Sequence, residues 1–306
     1  MLLAIYGALV LIDRITTFWL TTFVVLIAPV IIIMYSAMQS FKDGLFLSLG
    51  IIIISFLLGN LQLTYLIYIP VGVITGIAYS YGVSKSYDKT TLLLVSCIIY
   101  AICEIIASYI VYPFLGFPVT QMIEELKLSF NEINKISGID YSTIFSSSGI
   151  DFNKLLVIMF LFSTILMGVM EGLLIHILSI FLLKRFKIKD LGRLNIWDIK
   201  PNKAVGYIAF LSCFSFFFSK YITNDYVYYI LMTVSLVGAA ILIYYGYLFL
   251  CLYQAIVLKK NVAFIIVMFA LFVPVILIGL MIIGFLYAAG PLRTYLEERV
   301  NSIKHE

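Results

Sequence analysis

Met167–Asp190 reads MGVMEGLLIHILSIFLLKRFKIKD. The run is apolar as far as Leu183, with Glu171 and His176 as its ionisable members, and it ends abruptly in KRFKIK. Extended upstream to residue 154, it is long enough for a helix that crosses a bilayer, since about 20 apolar residues at 1.5 Å each cover about 30 Å of hydrocarbon. A basic cluster set directly against such a stretch stays on the cytoplasmic side. One stretch therefore predicts a helix, its solvent and its direction. Glu171 is the exception that needs a reason. At that depth an ionisable group costs at least about 2.5 to 3.5 kcal/mol, so it turns into a bundle rather than toward lipid.

The rest of the chain follows the same solvent. Of 306 residues, 63% are hydrophobic and 12% charged, and the mean hydropathy is +1.11; soluble domains carry about 25% charged residues. The expected fold class is all-α, a polytopic transmembrane helical bundle. Spans are expected at 1–12, 16–38, 44–60, 63–82, 91–114, 154–183, 204–222, 226–258 and 262–289. The first would rise only about 18 Å before Asp13 and Arg14 close it, so the expected count is eight or nine spans. The alternating ten-residue segments of a β-barrel are missing. MLLAIYGALVLIDR lacks a basic leader and a small-residue cleavage site, and reads as a retained first helix. Cys97, Cys103, Cys213 and Cys251 all fall inside apolar spans without CxxC spacing or His neighbours, which argues against a disulfide or metal framework.

Charge sets the topology. Residues 184–203 hold seven basic residues, among them Lys184, Arg185, Lys187 and Lys189, against Asp190 and Asp198, so this loop is expected in the cytoplasm. The connection 115–153 holds five acidic residues against Lys127 and Lys135 and suits the outside. Lys42, the Lys85 and Lys89 turn, and the Lys259 and Lys260 turn then all fall inside. The net charge of +4 is concentrated in one loop and calls for no nucleic-acid partner. Within the outer connection, Val119, Ile123, Leu126, Phe130 and Ile133 share one helical face, the pattern of an amphipathic helix on the membrane or capping the bundle. Two similar fragments follow, SGIDY from Ser137 and SGIDF from Ser148. They read as turns, with Asp151 as an N-cap, or as a ligand-binding repeat.

The candidate binding residues are the polar ones that the bilayer makes expensive. Glu104 and Glu171 lie near the middle of consecutive antiparallel spans, so their carboxyls are expected to meet inside the bundle, with at least one protonated at neutral pH. His176 follows Glu171 by five residues and lies about 140° around the helix, a poor direct partner. These three form either a proton or cation relay, or a site for a polar substrate, or ordinary interhelical hydrogen bonds. Asp13 and Arg14 are adjacent and do not face each other across a helix; they anchor a membrane edge or touch a ligand. Asn60 and Gln62 sit in a short outer turn as helix caps or ligand contacts. Ala4 and Ala8, and Gly72 and Gly76, are small-xxx-small pairs that admit a close helix. The sequence has no HExxH, GxSxG, Walker A or GxGxxG signature, so no enzyme activity, cofactor or metal site is expected.

FLLKRFKIKDLGRLNIWDIKPNKAVGY, an apolar helix running into KRFKIK and then a short linker before a proline and the next span, resembles the YybS-like family of bacterial membrane proteins. Chain length, the long outer loop and a three-span C-terminal part are similar too, although the tail GFLYAAGPLRTYLEERV has no Trp. The first six spans of that family look like the substrate-binding S component of energy-coupling-factor transporters. The resemblance implies a six-helix domain over 1–183 with both ends cytoplasmic and an outward pocket closed by loops. It also implies a docking face at Ala4 and Ala8 of AIYGA for a coupling subunit or other membrane partner. The basic loop 184–203, a three-helix region 204–289 and a tail 290–306 complete the domain plan. The expected role is a multi-pass plasma-membrane protein that binds or transports a small polar or amphiphilic molecule. The alternative is a scaffold or regulatory protein whose 184–203 loop recruits a cytoplasmic partner or anionic lipid.

Overall fold

The structure is a computed structural model that describes residues 1–60, 62–108, 119–138, 151–191, 201–219, 221–254, 256 and 274–305. Most of the SGIDY and SGIDF pair, the stretch 192–200 of the basic loop, and the Lys259 and Lys260 turn with the first half of the 262–289 span lie outside the described residues. The helices are α1 (Leu2–Ile15), α2 (Thr21–Met38), α3 (Phe41–Leu58), α4 (Leu63–Ser84), α5 (Lys89–Ile106), α6 (Val119–Ser137), α7 (Phe152–Arg185), α8 (Lys203–Ser219), α9 (Asp225–Tyr253), α10 (Pro274–Ala289) and α11 (Pro291–His305). All regular structure among the described residues is helical, as hydrocarbon demands when every backbone group must be satisfied within its own segment.

Among the described residues six helices, α2, α3, α4, α5, α7 and α9, are long and apolar enough to cross a membrane. A seventh span results if α10 and α11, bent by 74° at Gly290, count as one. This falls short of the expected eight or nine because α1 has 14 residues, α8 has 17, and the last expected span is described only from Pro274 on. Helix starts are fixed by caps legible in the sequence. Ser40 accepts from Asp43 N at 3.2 Å, and Asp88 from Thr91 N at 3.1 Å. Asp151 accepts from Asn153 N at 2.9 Å and Asn224 from Tyr226 N at 3.0 Å. Each satisfies an N–H that the first helical turn leaves open.

The chain divides into two compact units, Met1–Ile144 with Ser163–Leu194, and Phe145–Phe162 with Asn195–Glu306. In the first, α4 is the hub, packed against α2, α3 and α5. Gly72 and Gly76 do what their spacing predicts: a Cβ on them would stand 3.1 Å and 3.0 Å from Pro29 of α2, so the two helices touch along bare backbone. Helix α1 runs parallel to α3, with Leu3 against Gly50 and the Tyr6 hydroxyl 2.7 Å from Ser55 Oγ. At one end of this unit the α2–α3 turn, the α4–α5 turn and the end of α7 converge. Phe41 meets Tyr81 edge-on at 5.7 Å, and Lys189 Nζ donates to the carbonyl of Val83 at 2.7 Å. Lys42, Lys85, Lys184, Arg185 and Lys187 are exposed there, so the end that charge assigns to the cytoplasm is one place in space. Helix α6 half-covers Leu126 and Phe130 and buries Ile123, but leaves Ile133 exposed.

In the second unit α9 packs on α8 and α10, and α10 on α11. Its apolar core joins Tyr245, Leu248, Phe249 and Leu252 of α9 to Tyr287 and Leu296. Lys154 pairs with Asp225 at 2.5 Å and lies over the Tyr228 ring.

Candidate functional site

Two helices of the first unit set the height of the candidate carboxyls. Asp88 caps α5, and from Lys89 to Glu104 that helix climbs about 22 Å. Helix α7 descends to Arg185, and Glu171 stands about 21 Å above that end. The two helices run antiparallel with Ala101 beside Gly168 and Cys97 beside Gly172, so Glu104 stands about 9 Å above Glu171 along the axis, and because side chains lean toward the N-terminus of their own helix the two carboxyls lean toward each other.

Lateral approach comes from Gly168 and Gly172. A Cβ on Gly168 would lie 2.7 Å from Ala101 Cα, and one on Gly172 would lie 2.6 Å from Cys97 Cα. The backbones of α5 and α7 are therefore in direct contact, and Cys97 Sγ reaches the Val169 carbonyl at 3.5 Å. With the helices this close, short side chains meet. The carboxyls of Glu104 and Glu171 face each other within interaction distance, and two ionised carboxylates there would offer only acceptors to each other. Glu104 is 5% exposed, and Tyr68 of α4 donates to its Oε2 at 3.4 Å. Tyr100, one turn before Glu104 and fully buried, lies in the field of both carboxyls. Glu104 Oε1, Glu171 Oε2 and the Tyr100 hydroxyl have no hydrogen-bond partner among the described residues.

His176 is a separate station further down α7, as its angular offset from Glu171 predicts. It is fully buried; its Nδ1 lies 2.9 Å from the Tyr79 hydroxyl of α4, while Nε2 is unpartnered among the described residues.

The other candidates are dispersed. Asp13 is fully buried within the protein, and its carboxylate accepts from Leu20 N at 2.7 Å, Thr21 Oγ1 at 2.7 Å and the Tyr65 hydroxyl at 2.6 Å. It organises the α1–α2 turn and ties it to α4. Arg14 points out and is exposed. Asn60 is exposed with φ 55°, a conformation that Asn tolerates. Gln62 precedes α4 without a side-chain cap bond, and its Oε1 is buried with no partner among the described residues. Ala4 and Ala8 share an exposed face of α1. In the basic cluster Lys184 pairs with Asp190 at 3.1 Å and Lys189 holds α4, which leaves Arg185, Phe186 and Lys187 exposed.

Residues 4–286 match the pattern of the DUF2232 predicted membrane protein family. The chain belongs to that family. No curated protein and no solved structure matches it. The match covers both carboxyls, His176 and the basic cluster.

Several members of the site were not read from the sequence. Tyr100 was recoverable, since it lies at i−4 from Glu104. Gly168 and Gly172 form a GxxxG pair within the quoted stretch, the signal for close helix contact in membranes. Tyr68, Tyr79 and Tyr65 reach their partners from another helix, and no local pattern announces them.

Proposed function

We propose that this multi-pass membrane protein binds or transports a small polar or amphiphilic molecule through its first unit, with the Glu104 and Glu171 pair as the protonatable group of the site. One observation carries this reading. Two carboxyls from different helices are driven together in an apolar interior, with acceptor oxygens left over. A purely structural contact would satisfy or replace them, because an unpaired buried polar group costs about 1 to 3 kcal/mol. A pair that shares one proton can take up a cation or a donor-bearing ligand by releasing that proton. The likeness to S components belongs to this proposal. The exposed Ala4 and Ala8 face supports docking on a coupling subunit, and the plasma membrane is the location that such a role implies.

The test is Glu171→Gln beside Glu171→Leu in reconstituted protein. Gln keeps shape and hydrogen bonding but cannot ionise. It is expected to abolish ligand binding or transport at unchanged melting temperature, whereas Leu also shifts stability, by a fraction of a kcal/mol to about 2 kcal/mol. Wild-type behaviour of Gln in both assays refutes the role of Glu171.

A second reading is favoured by the exposed Arg185, Phe186 and Lys187 beside Lys42 and Lys85: a scaffold that holds anionic headgroups or a cytoplasmic partner at its basic end. Each basic residue near an anionic surface contributes about 1 kcal/mol. Arg185→Glu with Lys187→Glu would then abolish recruitment while leaving Glu171-dependent binding intact.

A further inference from the structure

Eight buried side-chain polar atoms lack a hydrogen-bond partner among the described residues, and five of them belong to α5 and α7 of the first unit: Tyr100 OH, Glu104 Oε1, Glu171 Oε2, His176 Nε2 and Ser179 Oγ. Natural interiors rarely leave such groups open, and a concentration of them marks unassigned water or an ion. They are also ordered by height. Measured up from Arg185 along α7, Ser179 stands at about 9 Å, His176 at about 13 Å and Glu171 at about 21 Å, while the Tyr100 backbone lies against Gly168, about one turn above Glu171, with its side chain leaning back toward the start of α5. The result is a descending series from the carboxyl pair to the basic end. Tyr79, Tyr100 and Ile175, the neighbour of His176, lie in one apolar core, so the series runs through the interior and not along the lipid face. Ser179 is fully buried, as are His176 and Tyr79.

We infer that this series is a hydrated proton path linking the Glu104 and Glu171 pair to the cytoplasmic end of the first unit. The inference rests on the proposed role of the pair and names its coupling particle as a proton. The rises between the stations of α7, about 4 to 8 Å along the axis, are gaps that one or two waters bridge, each held by two or more polar groups. The proton leaves the shared carboxyl for a water facing Tyr100 and reaches His176 Nε2. In the tautomer with Nδ1 protonated, the imidazole takes this proton at Nε2 and gives the Nδ1 proton to the Tyr79 oxygen. Tyr79 then releases its own hydroxyl proton to water beside Ser179. One proton enters and one leaves, and the ring and hydroxyl reorient to restore the start. The groups facing His176 from the packed helices are Tyr79 of α4 and, higher on α5, Tyr100 and Glu104; Tyr68 and Cys103 flank the carboxyl pair.

The test follows the carboxyl proton itself in bilayer-reconstituted protein by infrared spectroscopy. The band of the protonated carboxyl is assigned by its loss in Glu104→Gln and Glu171→Gln, and its exchange is timed after transfer to D2O. The blocking variant is Tyr79→Phe with His176→Phe, which removes both partners of one hydrogen bond and leaves no orphan, so folding is preserved. Ser179→Ala is a second block, and Thr233→Val in the other unit is the control for losing an unpartnered buried hydroxyl. The path predicts that each block slows exchange at least about tenfold, equivalent to a barrier raised by about 1.4 kcal/mol, while the control does not. Unchanged exchange in the blocked variants overturns the path and leaves the carboxyl pair standing. If neither Gln variant removes a protonated-carboxyl band, the pair holds no proton, and the proposed role of the pair falls together with the path.

Discussion

Replacing Asp13 tests whether the first unit is assembled as described, because this carboxylate is fully buried and its side-chain bonds tie the α1–α2 turn to α4. Its two oxygens take three donors, Leu20 N, Thr21 Oγ1 and the Tyr65 hydroxyl, at 2.6 to 2.7 Å. The turn it closes holds Thr17 and Phe18 at φ 56° and 65°, a left-handed conformation that costs an L-residue roughly 1 to 2 kcal/mol each. Asp13→Asn keeps the volume and one acceptor oxygen but turns charge-assisted bonds into neutral ones, so a loss of about 1 to 2 kcal/mol is expected. Asp13→Ala strands the Tyr65 hydroxyl and the Leu20 N–H in the interior while Thr21 falls back on the Phe18 carbonyl and the strained turn remains, so a loss of about 2 to 5 kcal/mol follows. The competing expectation comes from ordinary hydrogen bonds within membranes, which average about 0.6 kcal/mol because the unfolded chain in lipid also finds partners. The larger loss wins here because one of the three donors is a backbone N–H of a turn and the Tyr65 hydroxyl is buried, whereas only Thr21 Oγ1 has a second acceptor at hand, the Phe18 carbonyl at 2.9 Å.

The assay is reversible unfolding in mixed micelles, with Tyr65→Phe as the second arm of a double-mutant cycle. Tyr65→Phe alone should lose about 1 to 2 kcal/mol, and in the Asp13→Ala background it should lose nearly nothing, since its partner is already gone. Asp13→Ala within about 0.6 kcal/mol of wild type, or two additive losses, would refute the view that this residue fastens the α1–α2 turn to α4.

Gly172→Ala should destabilise the first unit by about 1 to 3 kcal/mol. The added methyl would meet Cys97 Cα at 2.6 Å, and the shift it forces should weaken the Glu104 band in the infrared assay. An unfolding titration unchanged from wild type would contradict the backbone contact of α5 and α7. Asp88 makes a prediction about pH. Its carboxyl is held below the usual aspartate range by the hydroxyl and N–H of Thr91, and a depressed folded value stabilises above the unfolded value and is lost as pH falls through the folded one. Asp88→Ala should therefore lose about 1 kcal/mol near neutrality, and the gap to wild type should close in acid; a gap that persists at low pH would show that the cap is not the cause.

What was legible in the sequence is what the bilayer and the helix termini dictate. Apolar runs located α2 to α5, α7 and α9, and Ser40 and Asp88 mark starts through local chemistry. Gly72 and Gly76 announced a close helix, and their contact is with Pro29. The basic residues agreed on one end before the structure gathered them. Sideways relations were far less legible. Hydropathy says that a helix is in lipid but not which of its faces meets which neighbour, because lipid tails and leucines are equally apolar. Asp13 reads as a membrane-edge anchor or a ligand contact because nothing nearby in sequence foretells Tyr65, and although an interhelical hydrogen bond is one reading of His176, its partner Tyr79 is not legible because it arrives from another helix. The carboxyl pair was the exception: two acids near mid-span on consecutive antiparallel helices, each leaning toward its own helix N-terminus, have few alternatives to meeting.

The same physics ties the glycines to the acids. In water, a Gly pair in mid-helix would be a weakness, because each Gly is worth about 1 kcal/mol less than Ala. In hydrocarbon, the backbone approach that such a pair allows is itself a main source of helix association. Gly172 directly follows Glu171, and Gly168 lies one turn before Gly172, so the tightest contact of α7 on α5 is also where its carboxyl must be hidden. A larger residue at either glycine would separate the helices and leave each carboxyl to find a partner alone or to face lipid at about 2.5 to 3.5 kcal/mol. The close contact keeps the pair together and buried, and on the proposed reading the open oxygens on its far side are where a ligand or a proton carrier would approach. The four-residue spacing that makes this helix associate is therefore also the condition for its buried acid to be tolerated.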